Sequence, residues 1–382
     1  MQALSGLRFL AIAYVVWFHL LSNDEKFSER AWVVQRLLLH TNSVMPLFFL
    51  LSGFVLTYTY GERFESGSLT RRDFWISRWL RIWPIYLVAL GLRFAVEVWQ
   101  SGGASRDHVA GAIAQALLVQ GWIPPYVWLG NSPGWTVSVE AFLYLLFPWL
   151  VVRLSRLRLS HGFAIALVLW FLGQLLAYAY VRVRPDGWPP QAAPGSPEPF
   201  YLDLLRYLPP LHLPSFVLGI VCARFLAADR AAGRQRNGTL LTLLGAVPLA
   251  ICLTGGLEWL TAHGLPFLRW SFPFTHNGLL APLWALLVLG LCHRGLPARL
   301  LSLPWLVRCG EASYGLYILH HPIYDAMVTW IDGDWPEAPL YVLEAYAILV
   351  PIAVLSFERF EQPLRTWLLW RLRRASIRWR FA

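Results

Sequence analysis

The sequence is short of charge. Asp, Glu, Lys and Arg make up only 14% of its 382 residues against 57% hydrophobic side chains, and the mean hydropathy is +0.48. A soluble domain carries about 25% charged residues, so this chain lacks the polar material to coat a globule of its length. Cysteine is scarce too. Cys222, Cys252, Cys292 and Cys309 lie in or beside apolar segments without metal-ligand spacing, which argues against a disulfide framework. The net charge of +10 is almost all Arg, dispersed between apolar blocks instead of gathered in one stripe, which argues against a nucleic-acid partner.

What the chain has is long apolar runs. Phe163–Tyr180 is interrupted by one polar residue, Gln174, and Leu240–Leu253 is another such run. Its 21 Trp and 15 Tyr suit rings at headgroup depth. The expected fold class is an all-α integral membrane protein, a bundle of about ten transmembrane helices in a lipid bilayer. The spans are expected near 7–21, 43–60, 80–99, 135–153, 162–181, 212–228, 239–257, 276–293, 311–330 and 338–357. The first block has no convincing small-residue cleavage site and contains Arg8 and His19, so it is expected to stay as a helix. Val109–Trp122 is apolar but short and is followed by Pro124-Pro125, which suggests an interfacial or re-entrant piece.

Charge asymmetry supports ten spans over eleven. With both termini cytoplasmic, the inner loops hold Arg63, Arg71, Arg72 and Arg78; Arg153, Arg156 and Arg158; Arg230, Arg234 and Arg236; and Arg294, Arg299 and Arg308. The tail adds Arg371, Arg373, Arg374, Arg378 and Arg380. Roughly 23 of the 32 basic residues then fall inside and about nine outside. The long outer loops are Gln100–Gly134 and the proline-rich Arg182–Leu211, the second expected to be a non-helical cover.

Titratable residues within spans are costly and are therefore candidate functional groups. Arg8 and His19 are eleven residues apart, three helical turns plus about 20°, so they share a face roughly 16 Å apart along the axis. Arg78 and Arg81, at i and i+3, share a face opening the third span, where two guanidinium forks suit a phosphate-bearing ligand. Glu140, in Trp135-Thr136-Val137-Ser138-Val139-Glu140, enters the fourth span from outside at a depth like that of His19. A carboxylate beside an imidazole is an acid/base couple, or orients the ring. Ser313-Tyr314-Gly315-Leu316-Tyr317-Ile318-Leu319-His320-His321 puts two imidazoles halfway across, about 100° apart, so one of them faces a given site. No ligand spacing accompanies them, and no metal is expected. Bland readings stand beside each: Arg8 and the Arg pair as interface anchors, Glu140 as half of an interhelical ion pair, the histidines as helix packing.

Together these segments resemble the membrane-bound acyltransferase-3 family, which includes O-antigen, Nod-factor and peptidoglycan O-acetyltransferases. Arg8 and His19 match its Arg-x10-His signature, and Arg78-Trp79-Leu80-Arg81 its Arg-x-x-Arg. Pro46–Phe54, Trp135–Glu140, Ser313–His320 and Glu361-Gln362-Pro363-Leu364-Arg365 follow in the family's order across nearly the whole chain. Many relatives have a second acidic residue after the Glu, where this chain has Ala141, so any carboxylate role falls on Glu140 alone. An appended hydrolase-like domain, present in some relatives, is not expected. The resemblance implies a transmembrane domain over 1–366, a basic cytoplasmic tail over 367–382, and a bacterial inner-membrane location. It implies transfer of an acyl group, acetyl first, from cytoplasmic acyl-CoA to a hydroxyl of a glycan or lipid-linked saccharide. His19 is expected to be the base for the acceptor hydroxyl or to carry the acyl group briefly, and Glu140 to orient His19 or a second proton-bearing group. Arg8 is expected to hold the donor or polarise the helix face below it, and His320 to be a second-tier residue that binds acceptor. Arg78 and Arg81 are expected to hold the donor phosphates. The rival readings are a transporter or flippase for a glycolipid, disfavoured because the halves show no inverted repeat, and a purely structural membrane subunit.

Overall fold

The structure, a computed structural model, describes residues 1–21, 32–187, 199–330 and 338–378. Among them all regular structure is helical. Lipid offers backbone groups no hydrogen-bond partners, and a helix satisfies its own. Among the described residues nine helices are long and apolar enough to cross a membrane: Gln2–Leu21, Thr41–Glu65, Arg71–Ser101, Ser132–Ser155, Leu159–Val183, Pro209–Ala231, Gly238–Ala262, Phe272–Leu291 and Tyr341–Leu372. Each falls on an expected span. The remaining expected span, 311–330, is the helix Ser313–Trp330, whose His320, His321 and Asp325 hold its hydropathy down. The segment expected not to cross is the helix Arg106–Ala116. At 11 residues it rises about 16 Å, half the hydrocarbon thickness.

Three expectations need adjustment. The third helix begins at Arg71, well before 80, because Thr70 caps it, its Oγ1 accepting the Asp73 N–H at 3.1 Å. Arg78 and Arg81 therefore sit two to three turns inside the helix instead of opening it. The outer loop 182–211 is not wholly non-helical. No proline lies between Pro199 and Pro209, and Phe200–Tyr207 forms a helix that buries Leu202 and Leu205. Four of that loop's eight prolines, Pro189, Pro190, Pro194 and Pro197, lie outside the described residues. Finally, the last span continues through a π-helical turn, Phe357–Glu361, into the helix Gln362–Arg378, within which the tail's expected boundary falls.

Lipid gives helices no hydrophobic reason to associate, so close backbone approach through small residues does that work. The Met45–Glu65 helix crosses Leu213–Ala231 at two glycines. A Cβ on Gly53 would fall 2.1 Å from the Phe216 carbonyl oxygen, and one on Gly219 would fall 2.0 Å from that of Leu50. No side chain fits there. This contact fixes one wall of the central space, which the helices Gln2–Leu21, Arg71–Ser101, Trp135–Ser155 and Ser313–Trp330 complete.

Candidate functional site

Three cavities lie in a row along the first helix. The vestibule at its N-terminal end has a volume of about 490 Å³ and is lined by Met1 and by Leu4, Ser5 and Arg8 of that helix. A middle cavity of about 100 Å³ takes over at Arg8 and Ile12. A far chamber of about 460 Å³ follows at Val15, Phe18 and His19. Arg8, Val55, Arg81 and Tyr314 line both the vestibule and the middle cavity, and Met45 and Tyr317 line both the middle cavity and the far chamber. The bundle thus holds two roomy compartments separated by a narrow neck.

The neck carries charge. Arg8, Arg78, Arg81 and Glu140 all line it. Arg78 is buried, its Nη2 donates to the Tyr60 hydroxyl at 2.7 Å, and its guanidinium lies 5.1 Å from the centre of the Tyr60 ring. Tyr144, one turn beyond Glu140 on the same helix, donates to Glu140 Oε2 at 3.2 Å. Three guanidiniums facing one carboxylate leave an excess of positive charge, and that environment favours an anionic group passing through. The vestibule extends the pattern with Glu361, the last residue of the π-helical turn, and Arg365, one turn into the helix that follows.

The far chamber carries imidazoles. The His19 ring lies 5.1 Å from that of His320 and 6.0 Å from that of His321. His320 Nδ1 is 2.6 Å from the Tyr317 carbonyl oxygen. A carbonyl only accepts, so Nδ1 carries the proton and Nε2 is left as a bare acceptor, buried and without a partner. His321 Nδ1 stands 2.9 Å from Asp325 Oδ2, in ion-pair range without hydrogen-bond alignment. Asp325 also pairs with Arg93, which bonds Glu97 at 3.0 Å. Among the described residues these groups form no set of three or more arranged to hold a metal ion.

Two sequence segments lock the chamber's geometry. Asn131 Nδ2 donates to the Ile318 carbonyl at 3.0 Å, and the Tyr317 hydroxyl donates to the Pro133 carbonyl at 3.1 Å. The Asn131–Trp135 stretch and the histidine helix are therefore stapled to each other. Gln120 adds a bond to the Gly134 carbonyl at 2.7 Å.

The profile of a family described as an acyltransferase domain matches residues 1–357. The chain belongs to the acyltransferase-3 family. It is similar to the acyltransferase MdmB of Streptomyces mycarofaciens, at 30% identity over 84% of this chain and 78% of that protein. It is also similar to the exopolysaccharide production protein ExoZ of Rhizobium meliloti, at 27% identity over 72% of this chain and 74% of that one. The peptidoglycan O-acetyltransferase OatA of Listeria monocytogenes is 24% identical over 95% of this chain, which spans about half of OatA's length, 55%. No solved structure matches.

In this acyltransferase-3 fold the expected site residues divide between compartments. Arg8, Arg78, Arg81 and Glu140 share the neck, while His19 and His320 share the far chamber. The expected couple of His19 with Glu140 is not formed. Glu140 lies a turn and a half beyond Trp135, which itself lines the far chamber, and that rise of about 7 Å carries the carboxylate down to the arginines. Sequence reasoning also passed over Arg93, Asp325, Arg206 and His276, all lining the far chamber. Arg93 and Asp325 were detectable as charges within helices expected to span.

Proposed function

We propose that this membrane acyltransferase moves an acyl group, acetyl first, from acyl-CoA in the vestibule to a hydroxyl of a saccharide in the far chamber. The observation that carries the reading is the row of compartments: a cationic vestibule and neck leading to an imidazole-lined chamber. Arg78 and Arg81, with Arg8 and Arg365, suit the phosphates of the donor, and the narrow neck suits its thin thiol-bearing arm. The distribution of Arg supports a cytoplasmic N-terminal end in a bacterial inner membrane. The relatives OatA and ExoZ, by their names, act on peptidoglycan and in exopolysaccharide production, which supports a glycan acceptor.

In the transfer, the acceptor oxygen attacks the thioester carbonyl as His19 takes the hydroxyl proton. The carbon–sulfur bond breaks, and the thiolate leaves and takes up a proton as free thiol. His320 assumes the orienting role first expected of Glu140: its bare Nε2 accepts a hydrogen bond from the ring of His19 once that ring is protonated. Glu140 instead limits the positive charge of the neck, so that the donor is held and then let go. Purified protein in detergent, given labelled acetyl-CoA, should release thiol in an acceptor-dependent way, and His19→Ala should slow it about 10²–10⁴-fold. Substrate movement without thiol release would point to a transporter instead.

A further inference from the structure

A second part of the far chamber's lining, from Asn42, Arg206 and His276, is also built for a ligand. Asn42 spends both of its amide protons on the Phe272 carbonyl at 3.2 Å and the Thr275 hydroxyl at 2.9 Å, which leaves Oδ1 as a bare acceptor. His276, 3% exposed, directs Nε2 at the Arg206 carbonyl at 2.9 Å, so Nε2 carries the proton and Nδ1 is bare. Arg206 bonds Asp203 at 3.4 Å through Nη1, and its Nε–H has no partner. This wall thus carries two orphaned acceptors and one orphaned donor, while His320 Nε2, assigned above to His19, and His321 Nδ1 are orphaned elsewhere on the lining. Buried polar atoms without partners are rare and costly. Three together on one wall point to a ligand.

The signs of these groups select its chemistry. A phosphate or a thioester carbonyl offers only acceptors and satisfies neither of the two bare acceptors. A ring bearing several hydroxyls satisfies both and accepts the Arg206 Nε–H on an oxygen. Asp203 offsets the charge of Arg206, so the wall does not call for an anion. Apolar faces are present as well: the Trp135 ring lies 5.5 Å from His276, and the Arg206 guanidinium lies 4.9 Å from the Phe272 ring centre. These atoms have almost no exposed surface, so binding a ligand would require their side chains to tilt toward the chamber.

We propose that Asn42, Arg206 and His276 form the acceptor-positioning subsite. They would bind the non-reacting hydroxyls of a neutral saccharide ring and turn its remaining hydroxyl to His19 and His320. This rests on the transferase reading above and adds to it which residues choose the acceptor and that the acceptor is a neutral polyol.

The test uses the full chain in detergent with acetyl-CoA, offered neutral monosaccharides and disaccharides or cyclohexanol, which has a single hydroxyl. Thiol release and tryptophan fluorescence on acceptor addition are both recorded. Wild-type protein should turn over or bind at least one saccharide at concentrations where cyclohexanol does neither. Asn42→Leu and His276→Leu should each raise the saccharide KM, or its binding constant by fluorescence, several-fold, and the pair together about tenfold or more. The KM for acetyl-CoA should stay constant, and because loss of folded enzyme lowers turnover without moving either KM, a raised saccharide KM reports the subsite itself. Saccharide constants within twofold of wild type in both variants would overturn the subsite, as would equal use of cyclohexanol. Saccharide binding without any thiol release would retain the subsite and sink the transferase reading.

Discussion

His320→Asn separates positioning from packing. The asparagine amide sits near the place of Nδ1–H and keeps a donor for the Tyr317 carbonyl, now bonded at 2.6 Å, while Nε2 is lost. If Nε2 accepts a hydrogen bond from the protonated His19 ring as the acceptor oxygen attacks, the loss is that of a bond to a charged group. Such a bond is worth about 1.5–3 kcal/mol, or roughly 10- to 150-fold in kcat at 1.36 kcal/mol per decade. Removing the base itself by His19→Ala should cost about 10²–10⁴-fold. Because His320 acts only through His19, the double variant should be no slower than His19→Ala. The assay is acceptor-dependent thiol release by purified protein, with kcat and both KM values for all four forms. Multiplying penalties in the double variant would refute the reasoning, as would a His320→Asn enzyme with more than half the wild-type kcat.

Other consequences concern the neck and the scaffold. Arg81→Gln removes a guanidinium that lines both vestibule and neck, and it should raise the acetyl-CoA KM about tenfold while leaving the acceptor KM alone. Glu140→Gln can still accept the Tyr144 hydroxyl but leaves Arg8, Arg78 and Arg81 without a carboxylate in the neck. It should lower kcat and strengthen product inhibition by free CoA, read as a smaller inhibition constant. Gly53→Val drives a side chain into the Phe216 carbonyl. It should cost about 1–3 kcal/mol or more, visible as a lower unfolding midpoint in detergent.

Membrane fold and span order were legible because apolar runs and Arg-rich loops are local signals that lipid imposes directly. Helix ends were less so. The start at Arg71 depends on one hydroxyl of Thr70, and the Phe200–Tyr207 helix depends on a gap between two prolines. At the site, the eleven-residue spacing of Arg8 and His19 gave their common face, since helical geometry fixes it within one element. Pairing between elements was not legible. Glu140 and His19 seemed equally deep, but Trp135–Ser155 begins at the far chamber and carries Glu140 past it to the arginines. Arg206 and His276 come from segments that sequence periodicity treats as loops or span ends. Only the packed chain shows their orphaned atoms around one chamber.

The central claim is that donor and acceptor enter from opposite ends of the bundle. It is tested most directly in sealed proteoliposomes that hold labelled acetyl-CoA inside and a saccharide acceptor outside. The account predicts acetylated saccharide in the outer medium and free CoA thiol retained in the lumen. Product formed only when both substrates share one side of the membrane would contradict it.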